Sequence, residues 1–297
     1  MPQLSESEWA ERRARHVARL SPIVSAHVDR QSRREKHPVI DFLFQYYGFR
    51  PAWLLRWGPG LGVVLQGEAA REFLQFEHYE ECEDGVRVAA PPLSPERRAS
   101  AQWTLDLLRI TAERPPRFGC HGLHEWAMVY RAPERRHGDT PLRMDPEPLA
   151  AFVESQRIVC SHFDAFRFFT PAARPLNTLQ PERPRIHEVE QRGCLHANMD
   201  LYKWGTKWWP WISSDLIADA FLLACEIREL DMRASPYDLS ALGYTPVRIE
   251  TSEGRAEYQR AQAEFAERAQ PIRARLIEAY QRLLEHADDA YIATNRK

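Results

Sequence analysis

Residues 119–126 read GCHGLHEW. On a helix, His121 lies one turn from both His124 and Glu125, so two imidazoles and a carboxylate share a face. That set suits a divalent metal, with His121 and His124 as ligands, and Glu125 suits general-base work. The spacing is not H-E-x-x-H, so the metalloprotease pattern is absent, and a hydrogen-bonded structural role is the competing reading. A second word, CLHANMDLYKW over residues 194–204, sets His196, Asp200 and Lys203 at i, i+4 and i+7. A polar stripe flanked by Leu, Met, Tyr and Trp is costly to bury unpaired, so it must face solvent, partner groups or a cleft. There Asp200 would orient His196 or act as a base, and Lys203 would bind an anion. An ion-pair ladder is the plainer alternative. In the third word, residues 230–238, a helix ends in Asp231 and Arg233 before a Ser-Pro turn, Tyr237 and Asp238. These side chains could meet at a pocket mouth, although the helix dipole alone accounts for Arg233. The catalytic candidates are therefore Glu125, His196, Asp200 and Asp231. The substrate-contacting candidates are Trp126, Asn198, Lys203, Trp204, Arg233 and Tyr237.

Tryptophan is abundant, with Trp204, Trp208, Trp209 and Trp211 clustered and Trp53, Trp57, Trp103 and Trp126 elsewhere. Indole faces can sandwich a purine or a cationic base, although aromatic residues at helical spacing also build cores. His162, Asp164 and His78 have no diagnostic spacing. No G-x-G-x-x-G, Walker loop or G-x-S-x-G is present, which disfavours dinucleotide, nucleotide-triphosphate and serine-hydrolase chemistry. The cysteines, Cys82, Cys120, Cys160, Cys194 and Cys225, are odd in number, scattered and free of C-x-x-C pairs. Neither a disulfide framework nor a thiolate zinc cage is expected, and a reducing cytoplasm is the default compartment.

The elements that must hold these residues read as mainly helical. With 297 residues, 44% of them apolar, a sizeable core can be buried, and disorder is excluded. Twenty-two prolines against 13 glycines point to helices stopped by proline rather than a hairpin-rich sheet. Ser5 and Glu8 have capping-box spacing, and residues 37–60 form an apolar helix with Pro38 at its start and a stop at Gly48. Residues 61–67 suit a short strand and 68–76 a short helix. Ser94 and Pro95 open a helix to about Glu113. Residues 157–169 fit a strand or a buried helix. Further helices are expected over 194–208, over 215–233 with a core stripe from Leu216 to Leu230, and from Ser252 to about His286 with a break or kink at Pro271. Residues 245–250 are a strand candidate.

One mainly α domain with a few short strands is the simplest architecture: a basic helical arm over 1–36 and a main domain over 37–297. The proline-rich segment 131–148 is the one credible boundary. The chain carries a net charge of −2, yet residues 11–36 hold eight Lys/Arg against three acids. Such a patch could lie on phosphates or pair with acids elsewhere. No stretch approaches the roughly 18 apolar residues of a membrane span.

The words HPVIDFLFQYY, RPAWLLRWGPG, GCHGLHEWAMVY, FFTPAARPLN, CLHANMDLYKW and LDMRASPYDLSALGY resemble bacterial proteins labelled 3-methyladenine DNA glycosylase. The likeness spans roughly His37 to Arg268. It implies a DNA-repair hydrolase that flips an alkylated purine into a tryptophan-lined pocket. Asp200, Glu125 or Asp231 would then activate water or stabilise an oxocarbenium-like sugar. Damaged DNA would be the partner, held through the basic N-terminal segment. The helix-hairpin-helix signature of well-understood glycosylases is missing, as is the Cys/His zinc set of one alkyladenine class. From the residues alone, a metal-dependent helical enzyme acting on a small aromatic molecule, with a divalent metal as cofactor, stands as the alternative. A non-catalytic module that holds an aromatic ligand is a third.

Overall fold

Two prolines lie inside continuous helices, one of them Pro271, where the sequence predicts a break or kink. The structure, a computed structural model, describes residues 1–91, 93–133 and 139–295, and the side chains of 288–295 lie outside the description. The chain opens with strand β1 (Gln3–Leu4) and helix α1 (Glu6–Arg33), whose Ser5/Glu8 capping box is formed. Pro22 sits within α1. Helices α2 (Asp41–Tyr47) and α3 (Pro51–Leu55) follow, then β2 (Val64–Leu65), β3 (Tyr79–Cys82), β4 (Gly85–Val88) and α4 (Pro95–Glu113). Next come the short α5 (Leu123–Val129), α6 (Pro146–Ser155), α7 (Phe163–Phe166) and α8 (Ile186–Val189). The long helices α9 (Leu195–Thr206), α10 (Ser214–Arg233) and α11 (Ser252–Asn295) complete the chain, with Pro271 inside α11.

The body is mainly α, as expected. Its centre is α10, which buries Leu216, Ile217, Ala220, Phe221, Ala224, Ile227 and Leu230, apolar positions on nearly every side. A helix apolar all round must be enclosed, and α9 and α11 pack against it. Gly205 of α9 permits that approach: a Cβ there would meet Ile217 Cγ1 at 3.2 Å. Ser213 caps α10, accepting from the Leu216 amide, and Ser94 caps α4 in the same way.

Segment 1–36 is built into this body. Trp9, His16, Leu20, Val24 and His27 form the buried stripe of α1, and β1 pairs parallel with β2. The sheet order is β1-β2-β4-β3, over a small satellite core of Leu4, Trp9, Trp57, Leu65, Ala70, Phe73 and Val86. Of the eight basic residues in 11–36, six lie beside acids: Arg13 with Glu72, Arg15 with Glu11, Arg19 with Asp219, Arg30 with Asp41, Arg33 with Glu35 and Lys36 with Asp139.

Several local expectations are corrected. The apolar run 37–60 is two short helices, because Gly48 takes a left-handed conformation (φ 67°) and Pro51 starts α3. Residues 245–250 are extended but unladdered, since the Val247 amide donates to Arg233 O at a helix end rather than to a strand. Residues 157–169 form neither a strand nor a long helix, only a bridge from Ile158 to Asn177 and the single turn α7. β3 and β4 pair antiparallel as a hairpin, from Tyr79 opposite Val88 to Cys82 opposite Gly85. Of the loop 131–148, residues 134–138 lie outside the described residues; beyond them Leu142 bridges Tyr237 and Arg143 pairs with Glu250.

Because Leu20 is fully buried in the main core, Leu20→Ala should destabilise the whole protein by about 2–5 kcal/mol. Far-ultraviolet circular dichroism and tryptophan fluorescence should then report one coincident urea transition. Separate transitions would show that α1 unfolds independently.

Candidate metal centre

Helix α5 begins at Leu123, so His121 is not on it. His121 occupies the left-handed turn before it (φ 47°), next to Gly122 (φ 72°), whose position a Cβ would crowd against Tyr258. The expected His121–His124 ligand pair is therefore not formed: His121 packs edge-on against Tyr258. The tight turn instead aims His124 and Glu125 inward, both buried.

There they meet the last turns of α10. Arg228 donates through one terminal nitrogen to Glu125 Oε1 at 2.7 Å and to Asp231 Oδ2 at 3.3 Å, and all three side chains are almost fully buried. Asp231 Oδ1 lies 2.9 Å from His124 Nε2, yet the two are not aligned for a hydrogen bond, and neither atom has another partner. His196, from α9, places its ring edge-to-face with His124 at 4.5 Å. Donor atoms of His124, His196 and Asp231 all lie within 4.8 Å of one another. On the other nitrogen of His124, Nδ1 contacts Cys120 Sγ at 3.5 Å.

Burial works against a charged His124, but Asp231 outweighs it and raises the imidazole well above its usual range. Burial likewise opposes the Asp231 carboxylate, which the His124, His196 and Arg228 charges hold well below its ordinary value. His196 is pushed well down, by burial first and by His124 second. A hydrogen bond involving the Cys160 thiol, opposed by burial and aided by His124, pulls Cys120 well below the thiol range.

The remaining α9 candidates serve neighbouring networks. Asp200 does not orient His196: it accepts from Tyr47 Oη at 3.1 Å and Lys203 Nζ at 3.2 Å, with His162 Nε2 3.8 Å away. His162 pairs with Glu190 at 2.8 Å and stacks on His196 at 5.3 Å. Lys203 also reaches Asp164 at 2.9 Å. Two other donor groups, His162–Glu190–Cys194 and His162–Asp164–Asp200, are close enough to share an ion. In the first, His162 Nδ1 and Glu190 Oε2 already share a hydrogen bond, although Glu190 Oε1 has no partner; in the second, Lys203 holds both Asp164 and Asp200, and its ammonium would repel a cation.

The third word does not converge. Arg233 points outward to Thr245 O, Glu229 and Glu257, and Asp238 accepts from the Ser240 amide. Tyr237 is buried in the core. Trp126 is also core, donating to Ala234 O, and Asn198 is tied to Arg192 O and Arg273. Trp204 borders an open cleft.

A chamber of about 300 Å³ adjoins the centre, lined by His124, His196, Cys120, Cys160, Cys194 and Tyr258 among others. Its walls are thiols and apolar groups, not indoles. Sequence reasoning missed Arg228, Cys120, Cys160 and the chamber's Gln262. Arg228 alone had a visible signal, a guanidinium beside Ile227 of the core stripe of α10.

Removing Arg228 strands two buried carboxylates, so Arg228→Met should cost about 3–5 kcal/mol in urea unfolding, and the triple variant with Glu125→Gln and Asp231→Asn should recover much of it. His196 is depressed, so its contribution to stability is present above about pH 6.5 and is lost as pH falls towards its folded value. His124 is raised, so its contribution is already complete below that pH. In chelator-treated protein the melting temperature should fall from pH 7 to 5, and His196→Asn should flatten that slope; an unchanged slope would contradict the assignment.

Set beside known proteins, the chain matches no family model, no curated protein and no solved structure.

Proposed function

We propose that the protein is a metal-dependent enzyme acting on a small molecule, with His124, His196 and Asp231 as the metal ligands. The observation that carries this reading is a convergence of ligand atoms: His124 Nε2 and Asp231 Oδ1 are buried and 2.9 Å apart as an ion pair, neither is in an aligned hydrogen bond, and His196 offers a third donor within 4.8 Å. Unsatisfied buried polar atoms are costly, and a cation satisfies several at once. Ligand bonds of about 2.1 Å separate adjacent donors by about 3 Å, which the His124–Asp231 spacing matches. Two imidazoles and one carboxylate leave further coordination positions open, and suit zinc or iron(II).

The surrounding residues fit that role. Arg228 holds Asp231 by Oδ2, which leaves Oδ1 free. Cys120 at Nδ1 orients the His124 ring and fixes which nitrogen faces the ion. Arg228 bridges Glu125 and Asp231 and keeps both carboxylates in place. When bound, the ion would supply Lewis-acid or redox chemistry beside a largely enclosed chamber.

Protein purified without chelator should carry about one zinc or iron per chain by elemental analysis, and His196→Ala and Asp231→Asn should reduce this to traces. A surface control, His78→Ala, should retain it. Wild-type protein that stays metal-free after incubation with zinc, iron(II) and manganese would remove the proposal.

A second reading, N-glycosidic release of an alkylated purine, is favoured by a different feature. A cleft of about 910 Å³ is lined by Tyr46, Trp103 and Trp204 and by Arg167, Arg183, Lys203 and Lys207, with Asp164 among them. Lys203 and Lys207 lie over the Trp204 ring at 4.7 and 5.6 Å. Aromatic faces would stack on a base, these cations would meet phosphates, and the adjoining Asp200 would stabilise positive charge on the sugar. With six of the α1 region's cations paired to acids, cleft residues would carry most of the contact to damaged DNA. Methylated duplex should then lose 3-methyladenine, detected by chromatography, and Asp200→Asn should slow that at least about 100-fold. No release above background ends this reading.

A further inference from the structure

We infer that the chamber beside His124 and His196 takes a small carboxylate with an apolar body and a hydroxyl or amine group. This deepens the metal-centre reading and rests on it for where the reacting atoms lie. Among the described residues, the lining holds two arginines, Arg117 and Arg157, and no aspartate or glutamate. Both arginines are exposed, so they stand where the chamber meets solvent. Among the described residues neither has a carboxylate within 4.0 Å. Two unpaired guanidiniums at one mouth are matched by a carboxylate, which each can grip through two parallel N–H bonds.

The rim is held in place. Gln191 accepts from the Arg117 amide at 2.9 Å and the Gly193 amide at 2.7 Å, and donates to Arg117 O. Gly193 lies so close to Arg117 that a Cβ would sit 2.8 Å from its carbonyl oxygen. Deeper in, Gln262 is 1% exposed and lines the chamber. Its amide nitrogen donates to Gly193 O at 2.6 Å, which settles which end is oxygen. The other end, Oε1, is buried with no partner. An unmatched carbonyl oxygen at a cavity wall calls for a donor on the ligand, an O–H or N–H. Between the two, Val159, Leu179, Leu195 and Tyr258 supply apolar wall. At about 300 Å³ the space fits a single ring or short chain, not a nucleotide.

Three probes separate the parts of this recognition: benzoate, its neutral isostere benzamide, and 3-hydroxybenzoate, titrated by calorimetry into both metal-stripped and zinc-treated protein. Benzoate should bind at least about tenfold more tightly than benzamide, with the preference weakening as salt rises. The Arg117→Gln/Arg157→Gln variant, altered at exposed positions, should bind both alike. 3-Hydroxybenzoate should exceed benzoate, and Gln262→Met should abolish that excess. Equal binding of benzoate and benzamide, no binding of either, or a preference that survives loss of both arginines would overturn the inference. If the preference is present in protein that never takes up metal, the metal-centre reading fails and this one stands. If metal is bound and the preference is missing, only this one fails.

Discussion

A single buried guanidinium, Arg228, joins the two halves of the centre. It bridges Glu125 on α5 and Asp231 on α10, in a space where none of the three groups is more than slightly exposed. Two carboxylates could not remain charged there alone, since each would lose its hydration with nothing in return. Arg228 also decides what Asp231 can do. With Oδ2 held, the opposite oxygen turns to His124, and the imidazole and carboxylate face each other without a proper hydrogen bond. The docking of α5, the charge on His124 and the lowered pKa of His196 all follow from that arrangement.

Around this point the chemistry is layered by burial. Asp231 is fully enclosed, His124 nearly so, and His196 partly faces the chamber. Beyond His196 lies a second network of His162, Glu190, Asp200, Lys203 and Tyr47, in which each acid is answered by a cation or a donor, although Glu190 Oε1 is left without one. The contrast is informative. Satisfied networks stiffen the helices that carry them, whereas unsatisfied donors at a cavity wall are held at a cost that a bound ion or ligand offsets. The same contrast recurs in the chamber, where Gln191 is fully engaged and Gln262 is left with one free oxygen.

Periodicity and capping made much of the helical frame legible. The α10 stripe, the capping box of α1 and the Ser-Pro start of α4 stand in the structure where local rules put them. Local rules held at Gly48, where the run 37–60 breaks although its apolar content continues. They were overridden at Pro22 and Pro271, which lie inside helices whose tertiary packing outweighs one missing hydrogen bond.

For the centre, residue type and spacing alone singled out His124, Glu125, His196, Asp200 and Asp231 as groups too polar to sit idle among apolar neighbours. Only tertiary structure decided the long-range partners. Glu125 goes to Arg228 rather than to a histidine, Asp200 goes to Tyr47 as well as to its helix neighbour Lys203, the ion pair that spacing alone offered, and Asp231 crosses from α10 to complete a His124–His196 set. The physical reason is distance along the chain. Spacing along a helix fixes which side chains share a face, but the partner across that face can come from far away, 103 residues for Glu125 and Arg228 and 153 for Asp200 and Tyr47. Only the packing of α2, α5, α9 and α10 brings it within reach.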